Sequence, residues 1–220
     1  LIKTDQDGNV SWTKNYGGEH SDMGYSVQET SDGGFIISGS VGGNGGDVYL
    51  IKTDENGDTL WTKRYGGIHP FELEEGNSVQ ETSDGGYIIA GWKWGSSSRG
   101  YHSDAYLIKT DEDGSALWIK TYGGIGNECA YSIKQTSNGE YIFSGYSYSF
   151  GVGFSDVYLV KIDLSGDALW TKTCGGPDID GSYSVNKTSD GGCIAVGYTY
   201  SFGAGSADVY LLKIKVIWNY

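Results

Sequence analysis

The sequence predicts an all-β protein, a β-propeller of four-stranded antiparallel blades, with about four to five blades in view. Three observations carry this prediction. A sequence block recurs roughly every 50 residues, which is the length of a propeller blade. The 220 residues include 37 glycines and 18 tyrosines but only two prolines, a composition typical of short strands and tight turns. No segment shows sustained helical periodicity.

The first block of the repeat contains a tryptophan at a fixed place. It begins Leu-Ile-Lys-Thr-Asp at Leu1, Leu50 and Leu107, and variants begin at Leu159 and Leu211. A buried indole contributes roughly 2–3 kcal/mol of stabilisation. We therefore expect the tryptophan to dock each blade on its neighbour. The docking residues are Trp12, Trp61, Trp118 and Trp170.

The second block begins at Tyr25 and returns at Asn77, Tyr131 and Tyr183. Together the two blocks divide into four strands separated by turn signals such as Asp-Gly. In the first complete repeat the predicted strands a, b, c and d are Ser26–Thr30, Phe35–Ser40, Val48–Thr53 and Thr59–Tyr65.

The repeats do not divide the chain evenly. Residues 1–18 supply only strands c and d, three complete blades follow at about 25–67, 77–124 and 131–176, and a terminal blade occupies 183–220. Val216–Tyr220 is a candidate degenerate strand d. Two interpretations stay open: strands a and b of the last blade close a ring with the first strands c and d, or the chain is part of a larger propeller. An unpaired edge favours closure or self-association.

The motif Asp-x-x-Gly-x-x-x-Trp, at Asp54–Trp61 and Asp111–Trp118, resembles the tryptophan-docking motif of quinoprotein-like (PQQ-like) propellers. It is one residue shorter between Asp and Gly. Asp84–Gly91 is similar to a repeat common in secreted multidomain prokaryotic proteins of unassigned function. The resemblance extends over nearly the whole chain and implies a propeller at an extracellular or cell-surface location. No quinone-binding set is present, so no cofactor is expected.

Variable loops on a repeated scaffold are the usual place for function. In an a-b-c-d blade, the b–c and d–a loops share one face, and here they carry aromatic and acidic residues. Aromatic rings stack on sugar C–H faces and carboxylates accept hydroxyl hydrogen bonds. The candidate ligand-binding residues are Trp92, Trp94, Tyr101, His102, Tyr146, Tyr148, Tyr198, Tyr200, Glu74, Glu128 and Asp180.

A structural interpretation competes with this one. Tyr146 and Tyr148 are spaced by two, so they also fit an extension of strand b that packs between blades. The acid at Glu74, Glu128 and Asp180 recurs in every repeat, which favours capping of loop N–H groups over catalysis. A second acid recurs just before strand c. Its copies are Asp47, Asp104, Asp156 and Asp208.

Several classes of function are disfavoured. The net charge of −13 opposes binding to nucleic acid or to anionic membranes, and no apolar run reaches the ~20 residues of a membrane helix. No residue set has metal-ligand spacing; the Asp-x-Asp/Asn-Gly turns resemble a calcium loop but lack its later glutamate. Strand spacing puts Cys129 and Cys174 beyond disulfide reach, so three free thiols are expected.

The leading hypothesis is a non-catalytic extracellular propeller that binds a glycan or a protein through its aromatic loops. The first alternative is a structural repeat module for assembly. The second is a glycan-active enzyme, which would need two acids at glycosidase separation.

Overall fold

The computed structural model describes residues 1–42, 46–67, 72–97 and 100–215. Its 17 strands form five antiparallel sheets, which confirms the all-β prediction. The first sheet has two strands, β1 (Ile2–Thr4) and β2 (Val10–Thr13). Val216–Tyr220, the candidate last strand, lies outside the described residues. The described part of the chain contains no helix long and apolar enough to cross a membrane.

Three four-stranded sheets follow, each in the simple order a-b-c-d. The second sheet has β3 (Asp22–Glu29), β4 (Phe35–Val41), β5 (Asp47–Thr53) and β6 (Thr59–Tyr65). The third has β7 (Leu73–Glu81), β8 (Tyr87–Ser97), β9 (Gly100–Thr110) and β10 (Ala116–Tyr122). The fourth has β11 (Glu128–Gln135), β12 (Tyr141–Ser147), β13 (Asp156–Ile162) and β14 (Ala168–Cys174). The last sheet has three strands, β15 (Asp180–Lys187), β16 (Cys193–Thr199) and β17 (Asp208–Ile214).

The predicted strand d, Thr59–Tyr65, matches β6 at both ends. The expectation of a loop between strands b and c is wrong for the third sheet, because β8 and β9 continue as one long hairpin with paired residues up to Ser97 and Gly100. Trp92 and Trp94 therefore lie on a strand, where successive side chains point to opposite faces and residues two apart share one face.

Strand a of the first complete repeat begins at Asp22 rather than at the predicted Ser26, and every strand a contains a β-bulge. The register shifts once in β3, β7, β11 and β15. The carbonyl displaced by the bulge lies against strand b, where a Cβ on Gly145 would be 1.8 Å from the carbonyl oxygen of Cys129. This contact explains the glycine at the same place in every strand b. The bulged residues are Tyr25, Asn77, Tyr131 and Tyr183.

Neighbouring sheets contact one another where strand d of one sheet meets the c–d turn of the following sheet. The Trp61 ring packs on Tyr87, with ring centroids 5.8 Å apart, and extends to the turn at Gly114. The hydroxyl of Tyr65 donates to the carbonyl of the same Gly114 at 2.6 Å. Trp12 and Trp118 make the corresponding contacts with the next sheets.

The strands a of successive sheets are also tied to one another. The Ser26 hydroxyl accepts from the N–H of Val79 at 3.2 Å, and the Ser78 hydroxyl accepts from the N–H of Ile133 at 3.3 Å. Between the sheets, apolar residues form three buried clusters, to which strands b and c contribute most and which include Val79 and Val185 of strands a. The recurring Ser-Val of strand a thus serves one polar and one apolar contact between sheets.

The first and last sheets do not pair with each other in the described part of the chain. Strand β17 leaves Val209 80% exposed, whereas Val157 at the same place in β13 is 1% exposed. Val157 differs because the last sheet covers it. Ring closure within one chain, expected as one of two alternatives, is therefore not formed by the described strands.

Candidate functional site

The fourth and last sheets bring six tyrosines into one continuous series of ring contacts, which we call the tyrosine row. Two of its contacts lie within the fourth sheet and two within the last, at centroid separations of 5.2 to 6.2 Å. Tyr131 and Tyr183 join the two halves across the junction between sheets at 5.3 Å. In order along the row the residues are Tyr148, Tyr146, Tyr131, Tyr183, Tyr198 and Tyr200.

Local backbone geometry positions the row. Tyr131 and Tyr183 occupy bulges, which displace these side chains from the regular alternation of strand a. Tyr146 lies opposite Cys129 in the register, and Tyr148 follows two residues later, directly after β12 ends. Sequence reasoning identified four of the six members and missed the two bulged tyrosines. The sequence feature that could have identified these two residues is the tyrosine that begins the second block in these repeats.

The row is partly open to solvent. Tyr148, Tyr183 and Tyr200 are 47%, 58% and 48% exposed. Burial raises the pKa of Tyr131 and Tyr146 far above the ordinary value, and that of Tyr198 to about 12. The hydroxyls of Tyr131, Tyr146 and Tyr198 are therefore neutral at physiological pH, and a neutral phenol can both donate and accept a hydrogen bond.

Exposed apolar side chains border one end of the row. Phe154, Ile179 and Tyr200, together with Asp178, line a shallow cleft of about 350 Å³. Phe154 is 67% exposed. The row and this cleft form one aromatic surface with an acid beside it.

The other aromatic candidates lie on the β8–β9 hairpin, and no ring contact of the described residues joins them to the row. Trp92, at the position of Tyr146 in the repeat, donates from its indole N–H to Glu75 Oε2 at 3.1 Å. Tyr101 is exposed, whereas His102 is buried with its Nε2 3.8 Å from Asp104 Oδ1.

The acids expected to bind ligand are buried and engaged with the loops. Glu128 accepts from the N–H of Gly124 at 2.8 Å, from the hydroxyl of Ser147 at 2.8 Å and from the N–H of Ser149 at 3.0 Å. Asp180 likewise accepts a hydrogen bond from the N–H of Gly176, four residues earlier, at 2.8 Å. Glu74 instead binds the ammonium of Lys93 at 2.8 Å. Glu128 and Asp180 therefore fix the loops beside the aromatic surface.

At two of the junctions between sheets, a glycine lies against two carboxylates, one from each sheet. A Cβ on Gly123 would lie 1.9 Å from Asp104 Oδ1 and 2.5 Å from Glu128 Oε2. At the next junction, a Cβ on Gly175 would lie 2.2 Å from Asp156 Oδ1 and 2.7 Å from Asp180 Oδ2. The acid before strand c and the acid at the start of the next strand a therefore share one site, which accounts for the first glycine of the Tyr-Gly-Gly motif.

Two classes of reactive centre are not formed by the described residues. They contain no group of three or more His, Cys, Asp or Glu side chains placed to hold a metal ion. Cys129, Cys174 and Cys193 are all free thiols. Burial raises the pKa of each thiol, to about 12 for Cys129, which disfavours the reactive thiolate.

No protein-family model and no curated protein matches this chain. Among solved structures, it is similar to a protein of unknown function from Bacteroides caccae, with a TM-score of 0.50 and 16% sequence identity over 86% of this chain and 58% of that one. A GH32 β-fructofuranosidase of Bombyx mori aligns with a TM-score of 0.49 and 11% identity over 90% of this chain and 50% of that one. The chain thus spans about half the length of these proteins.

Proposed function

We propose that this chain is a non-catalytic, extracellular binding module whose sheets are the blades of a β-propeller and whose tyrosine row binds a glycan. The observation that carries the proposal is the unbroken contact of six tyrosine rings across two sheets. A row of partly exposed rings offers apolar faces for sugar C–H groups and neutral hydroxyls for sugar hydroxyls.

The propeller arrangement is supported by the way neighbouring sheets meet. The same contacts recur at successive junctions: an indole on the next c–d turn, and a serine hydroxyl on the N–H of the next strand a. Identical junctions rotate each sheet by the same step, so they generate a radial or helical stack. Strand a lies innermost in such a stack because its neighbours on either side are also strands a.

Binding without catalysis is favoured by the state of the acids. A glycosidase requires one carboxyl as acid and another as nucleophile or base, both facing the substrate. Glu128 and Asp180 are fully buried and accept hydrogen bonds from loop amides and hydroxyls. They are suited to holding the loops in place.

The test is a glycan array followed by calorimetry with the tightest-binding oligosaccharide. Tyr183→Ala interrupts the row at its centre, and we expect affinity to fall about 10-fold, as for the loss of a stacking contact worth roughly 1.4 kcal/mol. Tyr25→Ala is the matched control, since it removes the bulged tyrosine of the second sheet, outside the row. No glycan binding, or equal loss in both variants, would contradict the proposal.

Assembly between copies is a second candidate, favoured by one observation. Val209 of the last sheet and Val27 of the second sheet, whose two-stranded neighbour has no strand a, are 80% and 51% exposed, whereas their equivalents Val157 and Val79 are buried at internal junctions. The two uncovered faces therefore match as the internal faces do. Light scattering over a range of concentrations tests this: Val209→Asp should abolish self-association, and Val152→Asp, at a loop position that is 63% exposed, should leave it unchanged.

A further inference from the structure

The loops beside the tyrosine row contain a single charged residue, Asp178. These loops are the d–a and b–c connections of the fourth and last sheets, residues 123–127, 148–155, 175–179 and 200–207, and all their other residues are uncharged. The Asp178 side chain is exposed, and no Lys, Arg or His of the described residues forms an ion pair with it. One carboxylate therefore gives this part of the surface its charge.

The repeat itself does not require an acid at this position. At the preceding junction the equivalent residue is Gly126, whose N–H donates to the hydroxyl of Ser149 at 2.7 Å. The N–H of Asp178 makes the same bond to the hydroxyl of Ser201, at 3.0 Å. The loop thus uses only the main chain of this residue, and the Asp178 carboxylate is an addition to the repeat that the scaffold does not use.

The main chain around Asp178 is fixed by further hydrogen bonds. The N–H of Asp180 donates to the carbonyl of Ser155 at 2.8 Å, and the N–H of Tyr200 donates to the carbonyl of Ile179 at 3.0 Å. These bonds join the loop to strands of its own sheet and to the b–c loop of the fourth sheet. Asp178 is therefore held at the cleft beside the tyrosine row before any ligand binds.

The cleft combines this carboxylate with exposed aromatic rings. Phe154 and Tyr200 line it together with Asp178, and their side chains are 67% and 48% exposed. The face of an aromatic ring attracts a cation through its quadrupole, and a carboxylate attracts it through its charge. Both groups favour a positively charged ligand over a neutral one, and the net charge of −13 opposes an anionic one.

We propose that the cleft of Phe154, Asp178, Ile179 and Tyr200 binds a protonated amine of an amino sugar. The glycan that lies on the tyrosine row is then one with free amino groups, and its sugar rings stack on the tyrosines while one ammonium occupies the cleft. This inference rests on the proposed function, because it names the class of glycan that the same surface binds.

The experiment compares two hexasaccharides by calorimetry: a β-1,4-linked glucosamine hexamer and its fully N-acetylated form. They share one sugar backbone and differ in charge at about pH 6, where free amines are protonated. We expect the glucosamine hexamer to bind about 10-fold more tightly at low salt, as for one cation–π contact together with one exposed ion pair. This preference should shrink at high NaCl, because salt screens exposed charges.

Two variants assign the preference to Asp178. Asp178→Asn should weaken binding of the glucosamine hexamer about 3-fold and leave the affinity for the N-acetylated hexamer unchanged. Asp113→Asn is the matched control, since it removes an exposed carboxylate from the c–d turn of the third sheet, at the opposite end of the strands. It should alter neither affinity.

The outcomes separate this inference from the proposed function. Equal affinities for the two hexamers, or binding of other glycans but neither hexamer, would overturn the inference and leave glycan binding by the tyrosine row intact. Binding of an oligolysine of equal charge as tightly as the glucosamine hexamer would also overturn it, because the cleft would then recognise a cationic peptide. A protein that binds no glycan at all contradicts the proposed function itself.

Discussion

The indole of Trp61 lies directly over Gly114 of the following sheet: a Cβ on that glycine would be 2.8 Å from the ring carbon Cη2. Gly114 also has φ +73°, in the left-handed region. The Asp-x-x-Gly-x-x-x-Trp motif therefore contains both sides of a contact between sheets. Its tryptophan contacts the turn of the following sheet, and its glycine receives the tryptophan of the preceding one.

Gly114→Ala should destabilise the fold by about 3 kcal/mol, since it adds the cost of a left-handed alanine to a clash with the Trp61 ring. Gly8→Ala is the matched control. Gly8 occupies the same turn in the first sheet at φ +84°, with nothing within 4 Å of its Cβ position. That variant should lose about 1 kcal/mol. Urea unfolding measures both, and equal losses would exclude the clash.

Trp118→Ala should cost about 3 kcal/mol, because the ring packs against the largest core cluster and its N–H donates to the Leu164 carbonyl at 3.0 Å. Tyr122→Phe, which removes only the hydroxyl bond to Gly166, should cost about 1 kcal/mol. The neighbouring Leu117→Ala is exposed and should change stability by less than about 0.5 kcal/mol. An unchanged melting temperature in Trp118→Ala would contradict the docking role.

Asp32 should make the fold sensitive to acid. Its carboxylate binds the buried ammonium of Lys52 at 2.8 Å, which lowers the pKa of Asp32 to about 2. A pKa lower in the folded chain than in the unfolded one stabilises the fold above about pH 4, and this contribution disappears as pH falls towards 2.

Asp32→Asn should therefore cost roughly 1 kcal/mol at pH 7, after allowance for solvent screening of this exposed carboxylate, and much less at pH 2.5. Urea midpoints at the two pH values provide the measurement. If the loss of stability in Asp32→Asn did not depend on pH, the ion pair with Lys52 would not be the origin of that loss.

The three cysteines should resist alkylation in the native protein. Cys129 and Cys193 are buried, and Cys174 is half-buried with a raised pKa. Mass spectrometry after iodoacetamide treatment should detect three labels in denaturant without reductant. In buffer at pH 7, labelling should be slow and should begin at Cys174. A denatured protein with only one label would reveal a disulfide.

The strand pattern was largely predictable because it depends on local chemistry. Asp-Gly turns and period-two alternation fixed β6 at Thr59–Tyr65 and β4 to within one residue. The extension of β8 and β9 through Trp92 and Trp94 was not predictable from turn residues, since it depends on pairing between two variable segments.

The candidate site was only partly predictable. Tyr146 and Tyr200 could be selected from the sequence because they lie in segments that differ between repeats. Tyr131 and Tyr183 occupy a regular place in the repeat, and only the bulges and the apposition of two sheets bring their rings to 5.3 Å.

The sequence by itself determined the repeat, the antiparallel hairpins and the residues that join one sheet to the next, because each depends on a short motif that recurs. Only the tertiary structure decided which residues of different repeats meet. The placement of Asp156 and Asp180 beside the same glycine, Gly175, and the ring contact of Tyr131 with Tyr183 both cross a junction between sheets. Such contacts depend on the angle and offset of neighbouring sheets, which the packing of whole side chains sets and no local pattern encodes.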